Sequence, residues 1–328
     1  MLNQDAKLTE NIFSPDIKTA PTRDGFGKGT VEIGKIDPRV VVLCADLAES
    51  TRAEWFQKEF PDRFIEMGVA EQNMAAVAAG MALAGKIPFI ASYAVFNPGR
   101  NYEQIRTTIA LNNLPVKICG MHAGVSVGPD GATHQMLEDI GLMRMLPGIT
   151  VIAPGDAEEA RKAVVAAVQT EGPVYLRFGR AATPIFTTSE SPFRIGKALT
   201  LFESEHPQVA IFSTGSLSYT ALDAARSLAE KGVESVVLHI PTIKPLDQGA
   251  ILAAAKRAGR VITIEEHQVA GGFGSAIAEF LSEHHPVSVR RLGISDQFGQ
   301  SGTPDELLAH YGLDTLHLEE AVRTFIRV

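Results

Sequence analysis

Residues 64–93 read FIEMGVAEQNMAAVAAGMALAGKIPFIASY. Two short apolar runs, 64–66 and 87–92, enclose a helix-forming stretch over 71–85 built mainly from Ala, Met and Gly. A strand, a helix and a second strand in that order specify parallel pairing through a right-handed crossover. Small apolar residues cover every face of the helix, so it must be buried all round or packed closely against a partner. Its first residue is Glu71, a carboxyl group costly to bury without a partner or a proton. Two readings remain open for it: an acid–base group, or a first-turn carboxylate that only complements the helix dipole.

The same alternation extends in both directions. Further strands are expected over 40–44, 116–120, 150–153 and 174–177, and helices over 27–36, 52–60, 100–111, 136–146 and 156–169. The stretch 181–192, AATPIFTTSESP, is polar, proline-bounded and aperiodic, and reads as part of an interdomain linker. Beyond it the pattern restarts, with strands over 209–213, 236–240, 261–264 and 287–292 and helices over 217–231, 248–258, 275–282 and 304–310. The expected fold is therefore α/β, with two domains of mainly parallel sheet. Their bounds are an extension over 1–22, a first domain over 23–180, a linker over 181–194 and a second domain over 195–328.

Composition narrows the function classes. The chain has 328 residues, 45% hydrophobic and 21% charged, with a net charge of −8. There are 18 basic against 22 acidic residues up to residue 190 and 12 against 16 after it, so neither half offers a basic face to nucleic acid. No apolar run reaches the ~20 residues of a bilayer span. Residues 1–22 lack the apolar core of a secretory signal, and Cys44 and Cys119 are too few for a disulfide framework. A soluble, cytoplasmic protein with no nucleic-acid or membrane partner is expected.

In open parallel sheets, ligands bind outside the carboxyl ends of the strands. After the first-half strands come Asp46 and Ser50, then residues 68–71, then Tyr93 and Phe96, then His122, then Arg180. Tyr93 and Phe96 suit either a wall for a flat ring or ordinary core packing. The loop 122–135, HAGVSVGPDGATHQ, carries three glycines, two histidines and Asp130. Glycines let backbone approach a ligand and histidines transfer protons near neutral pH, which favours a functional loop over a plain turn at Pro129-Asp130-Gly131. The second-half rim offers Glu265, Glu266 and His267 before a glycine cluster. Other signals fail. Gly27-Lys28-Gly29-Thr30 lacks the remainder of a phosphate-binding loop, and Gly271-Gly272-Phe273-Gly274 misses the dinucleotide spacing. Adjacent His284 and His285 point apart on a helix, and no protein-only metal site is expected.

In order and spacing, three runs resemble the transketolase family: Ala45-Asp46-Leu47-Ala48-Glu49-Ser50, Gly68-Val69-Ala70-Glu71-Gln72-Asn73-Met74, and Gly128-Pro129-Asp130-Gly131-Ala132-Thr133-His134-Gln135. Ile243-Lys244-Pro245-Leu246-Asp247 and Glu266-His267 with Gly271-Gly272 resemble that family's carboxyl-terminal domain. The Gly-Asp-Gly motif of a full-length member, which grips the cofactor diphosphate through Mg²⁺ (or Ca²⁺), does not occur in this chain. The resemblance implies the C-terminal-half subunit of a split, two-gene transketolase. A pyrimidine-binding thiamine diphosphate domain would come first and a transketolase C-terminal-like domain second. Thiamine diphosphate would lie between this chain and an N-terminal-half subunit carrying the Gly-Asp-Gly…Asn motif and most of the metal site. Self-association through this chain would complete a two-plus-two heterotetramer.

The residue roles follow from the same resemblance. Glu71 matches the glutamate that hydrogen-bonds the aminopyrimidine nitrogen and promotes loss of the thiazolium proton. Tyr93 and Phe96 match the aromatic pair against the pyrimidine, with Tyr93 in place of a more usual Phe. Asp46 and Ser50 line the cofactor and the substrate channel. Asp130 and His134 match contacts to sugar hydroxyl and carbonyl oxygens, with His134 also a catalytic candidate. Arg23, Ser50, His122 and Arg180 match the holders of a terminal phosphate, and a surface ion pair is the other reading of Arg180. An extra residue around Asn97-Pro98-Gly99 leaves Arg100 and Tyr102 without assignment. The implied activity is transfer of a two-carbon ketol unit between sugar phosphates or similar acidic sugars, in the pentose phosphate route or a dedicated catabolic one. The alternatives are the beta subunit of a 2-oxo acid dehydrogenase, a deoxyxylulose-phosphate synthase-like enzyme, or a non-catalytic binding subunit.

Overall fold

Strand β1 (Val40–Cys44) is buried at all five positions, the mark of a strand covered on both faces. Val41 and Leu43 face one side with Met74 and Ala78, while Val40, Val42 and Cys44 face the other with Phe26, Phe56 and Val164. This two-residue alternation makes β1 the middle of a three-layer unit. In the computed structural model, which describes residues 1–327, β1 is joined by β2 (Phe64–Glu66), β3 (Ile87–Tyr93), β4 (Lys117–Met121), β5 (Thr150–Ile152) and β6 (Val174–Arg177). These pair in parallel in the order β5-β6-β4-β3-β1-β2. Val328, the last residue of the expected second domain, lies outside the described residues.

Helices α1 (Thr22–Ile36), α2 (Ala53–Glu59), α3 (Glu71–Leu83), α4 (Asp139–Met145) and α5 (Ala157–Val168) belong to this half. Helix α1 begins at Thr22, before the expected start, because Pro21 is extended and ends the preceding segment. The helix expected over 100–111 has only a short α-helical turn, Tyr102–Gln104, followed by the wider π turns of Ile105–Ala110. That winding keeps Ile105 and Ile109 in the core. Helix α3 buries Met74, Ala75, Ala78, Ala79 and Ala82 and leaves Val77 and Leu83 exposed, so one of its faces has no cover among the described residues.

The second half adds strands β7 (Leu199–Phe202), β8 (Val209–Ser213), β9 (Ser235–His239), β10 (Thr242–Lys244), β11 (Arg260–Gln268) and β12 (Ser288–Ile294). It also adds helices α6 (Leu217–Glu230), α7 (Gln248–Ala258), α8 (Phe273–His284), α9 (Pro304–His310) and α10 (Thr315–Ile326). Five strands form a sheet in the order β12-β11-β8-β9-β7, parallel except for β7. Strand β10 departs from it and pairs antiparallel with β5 at the edge of the first sheet. The two halves share one continuous apolar cluster, from Leu43 and Ile118 through Met143 to Phe212 and Ile277. Helix α10, absent from the sequence-based expectation, is capped by Asp314 and buries Leu318, Ala321 and Val322.

Residues 1–20 lie mainly on the second half: the Asn3 N–H donates to Leu201 O and Tyr219 Oη donates to Ile12 O, each at 3.0 Å. Residues 181–194 are pinned rather than loose. Asp156, the N-cap of α5, accepts the N–H groups of Phe186 and Thr187 at 2.9 and 2.6 Å.

Helices α1 and α5 touch through glycine. A Cβ on Gly25 would stand 2.5 Å from Ala160 Cβ and also meet the Ala157 carbonyl, which cannot rotate away. Gly25→Ala should therefore cost about 1–3 kcal/mol through overpacking. Gly80 of α3 has no neighbour within 4 Å of such a Cβ, so Gly80→Ala should gain about 0.5–1 kcal/mol from helix propensity. Urea unfolding of both variants checks the contrast, and equal effects would refute the packing account.

Candidate active site

The residues singled out after the first-half strands converge on one rim. Gly68 adopts φ +68° and turns the chain from β2 into α3, which sets Glu71 at the helix start with 1% of its surface exposed. Its Oε2 accepts from Arg100 Nη1 at 2.7 Å and its Oε1 from Ser92 Oγ at 3.4 Å. Two buried asparagines fold the segment after β3 beneath it. Asn101 Nδ2 donates to Glu71 O at 3.1 Å and to Asn97 Oδ1 at 3.0 Å, and Asn97 Nδ2 donates to Ile90 O and Cys119 O. The half-exposed Arg100 lays its guanidinium over the Phe96 ring at 4.6 Å. A planar cation thus lies on an aromatic face with its edge to a buried carboxyl group.

Tyr93 and Phe96 stand nearly parallel, 13° apart with centroids separated by 6.1 Å. The His134 ring meets both edge-on, at 6.0 and 5.7 Å, and its Nδ1 lies 2.9 Å from Thr133 Oγ1. His122 lies on Tyr93 at 4.0 Å. The aromatic pair and the two loop histidines are one cluster.

Beside it the arginines gather. Arg23 Nη1 donates to Ser50 O at 2.8 Å and lies 3.1 Å from His122 Nε2. Arg52 pairs with Asp24 at 2.8 Å and Arg180 with Asp130 at 3.1 Å, and Arg180 also donates to Val127 O. Arg23 makes no ion pair among the described residues, and its Nε and His122 Nδ1 are buried without partners. Burial, then Arg52 and Arg180, lower the Arg23 pKa, with Asp24 opposing. Burial, then Arg23, Arg180, Arg52 and His134, push the His122 imidazole down to about 3, so it is neutral at pH 7. His122 also sits at φ +54°, a strained setting for a side chain of its size. Three guanidinium groups, two carboxylates and a neutral imidazole leave an excess of positive charge with unused donors, suited to an anionic group.

Asp46, at φ +57°, is exposed near this rim; its N–H and that of Gly68 donate to Glu66 Oε1 at 2.7 and 2.8 Å. Glu66, Arg52, Asn97, Asn101 and Arg100 were not singled out from sequence. Asn97, Arg100 and Asn101 had a signal, their place in a loop of altered length. At the second rim, Glu265 accepts the N–H groups of Phe273 and Gly274 at the start of α8, and burial pushes its carboxyl up to about 7. His267 and Gly271 of that rim border a cavity of about 650 Å³ together with Gly141, Leu142 and Met145. Among the described residues no three His, Cys, Asp or Glu side chains group as a metal site, and no helix is long and apolar enough to cross a membrane.

Residues 18–185 match the family described as transketolase, pyrimidine binding domain, and residues 196–318 match transketolase, C-terminal domain. The chain belongs to the transketolase family. A putative transketolase C-terminal section from Methanocaldococcus jannaschii is 43% identical over 295 residues, covering 89% of this chain and 92% of that protein. One of the subunits of the apulose-4-phosphate transketolase of Phocaeicola vulgatus is 38% identical over 306 residues, covering 93% of this chain and 97% of that protein. A split gene transketolase solved as an inactive beta4 tetramer superposes with a TM-score of 0.87 at 42% identity, covering 94% of this chain and 98% of that one. This transketolase-family chain is of the C-terminal-half type found in split enzymes, and that kinship disfavours the deoxyxylulose-phosphate synthase alternative.

The low His122 pKa gives a signed pH effect. An unfolded histidine titrates near 6.5, so unfolding takes up a proton below that pH, and the stability His122 contributes declines as pH falls from 6.5. At pH 5 the loss should be about 2 kcal/mol. Comparing unfolding free energies of the natural chain and His122→Gln at pH 7.5 and pH 5 isolates it, and identical pH slopes would remove the effect.

Proposed function

We propose that this chain supplies the pyrimidine-binding and substrate-binding half of a split transketolase, and is active only with an N-terminal-half partner. The observation that carries the reading is the buried Glu71 carboxyl group beside the parallel Tyr93 and Phe96 rings. That pair suits an aminopyrimidine, which needs a carboxyl partner at a ring nitrogen and an aromatic face. Thiamine diphosphate, when bound, supplies the nucleophilic carbon that carries the two-carbon ketol unit.

Glu71 holds and shifts a proton at the pyrimidine nitrogen. Tyr93, Phe96 and Asp46 orient the ring. His134, edge-on to the aromatic pair, contacts the sugar oxygens and exchanges protons with them, and Asp130 binds hydroxyl groups beside it. Arg23, Ser50, His122 and Arg180 receive the anionic tail of a sugar phosphate or another acidic sugar. Mg²⁺ (or Ca²⁺) and the diphosphate fall to the partner, since this chain lacks the Gly-Asp-Gly motif. The uncovered apolar face of α3, with Val77 and Leu83, is the surface for subunit contact in a two-plus-two assembly. Two free, buried cysteines accord with a cytoplasmic protein.

Mixing with an N-terminal-half subunit should switch on ketol transfer, and full activity of the single chain would overturn the reading. Glu71→Gln should keep the fold and lower turnover by about 10²–10⁴-fold, checked by single-turnover kinetics and by proton exchange at the thiazolium carbon. Unchanged exchange removes Glu71 from the role. Arg23→Ala should lose about 1.5–3 kcal/mol of binding to an anionic sugar, seen as a raised KM, and leave an uncharged acceptor untouched. Equal losses for the two acceptors would make Arg23 structural.

A further inference from the structure

The loop 122–135 carries His122, Asp130 and His134, yet its only regular structure is the short turn Val125–Val127. Its turns are closed by the N–H groups of Gly128, Gly131, His134 and Gln135 on carbonyls of the same loop, and outside contacts must hold those turns in place. The first half supplies part of that support, with Phe178 O accepting the Ala123 N–H and Arg180 donating to Val127 O, and the second half supplies two further pins. Glu266, on β11, accepts the Ser126 N–H through Oε1. A Cβ on Gly124 would collide with the same carboxylate, so the loop backbone passes it only as glycine, at φ +90°. Arg177 of β6 secures Glu266 from behind: its Nη2 donates to Glu266 O at 2.8 Å while its Nε donates to Asp139 at 2.8 Å.

A second pin lies at the loop's other end. Gln135 is buried, and its Nε2 lies 3.1 Å from Val125 O, 3.2 Å from Gly128 O and 2.9 Å from Gln300 O. It joins both limbs of the loop to the segment before α9. In that segment Ser301 faces Gly131, and Gly302 O and Pro304 face Gly128.

We propose that the second domain serves the reaction by holding the substrate loop in its working shape, with Glu266 and Gln135 as positioning residues. The proposal rests on the reading of that loop as substrate-contacting. Glu266 touches neither the aromatic pair nor the arginine cluster. Its carboxylate fixes the backbone at Ser126, and the backbone in turn sets where Asp130 and His134 point.

The test uses the full chain reconstituted with its N-terminal-half subunit, in the variants Glu266→Ala, Glu266→Gln and Gln135→Met. Three quantities are read: amide exchange over residues 122–135 in the cofactor-free chain, thiamine diphosphate affinity by calorimetry, and kcat and KM for a sugar phosphate. In Glu266→Ala, exchange of the loop amides should rise about 10-fold or more. Its kcat/KM should fall about 10- to 100-fold, the scale of small misplacements in a site, with cofactor affinity unchanged. Glu266→Gln keeps an acceptor oxygen for Ser126 and should recover most of the loss. Gln135→Met should loosen the same amides, and it decides the matter if Glu266→Ala does not fold. Loop exchange and kcat/KM equal to the natural chain's would overturn the proposal, as would exchange rising across the whole second domain with an equal loss of cofactor affinity. If the natural complex transfers no ketol unit, the functional reading fails instead, and the exchange data still decide the clamp.

Discussion

A carboxyl group with 1% of its surface exposed, placed at the start of a helix, is the constraint on which the site depends. Glu71 cannot turn to water, so the surrounding chain must supply its partners. Arg100 and Ser92 reach its oxygens, and Asn101 and Asn97 fold the segment after β3 beneath it. That fold sets Phe96 against Tyr93, and the loop histidines pack on the same rings. Satisfying one buried carboxyl group therefore builds the wall against which a ring can lie.

The second constraint is electrostatic. The chain as a whole is acidic, with a net charge of −8, yet Arg23, Arg52 and Arg180 gather at one rim. Asp24 and Asp130 neutralise two of them, and burial keeps His122 neutral. What remains is one guanidinium with unused donors, held at a depth where an anion is less screened by water. An acidic surface and a local cation are compatible because the site is local and the net charge is not.

Much of the framework was legible in the linear pattern. The bounds of β1, β2, β6 and β8, and of α7 and α9, coincide with those read from apolar and helix-forming runs. These are segments whose local preference and burial agree. The π turns of Ile105–Ala110 and the crossing of β10 into the first sheet were not legible, since nothing local distinguishes them from an ordinary helix or loop. Helix α10 carried a usable signal in Asp314 and the spacing of Leu318, Ala321 and Val322. At the site, motif spacing marked Glu71, Tyr93, Phe96 and the loop 122–135, while Arg52, Glu66 and the asparagines act through neighbours distant in sequence.

By itself the sequence determined the α/β class, the family and the residue types gathered at the strand ends, because apolar periodicity and motif spacing are written along the chain. Tertiary structure decided the pairings: Arg100 with Glu71, Arg180 with Asp130, Arg23 with His122, and Glu266 with the loop backbone. These join residues from 29 to 140 positions apart. Side chains so far apart meet only when the strands carrying them lie side by side and end on a common edge, and burial then fixes which of them must satisfy one another.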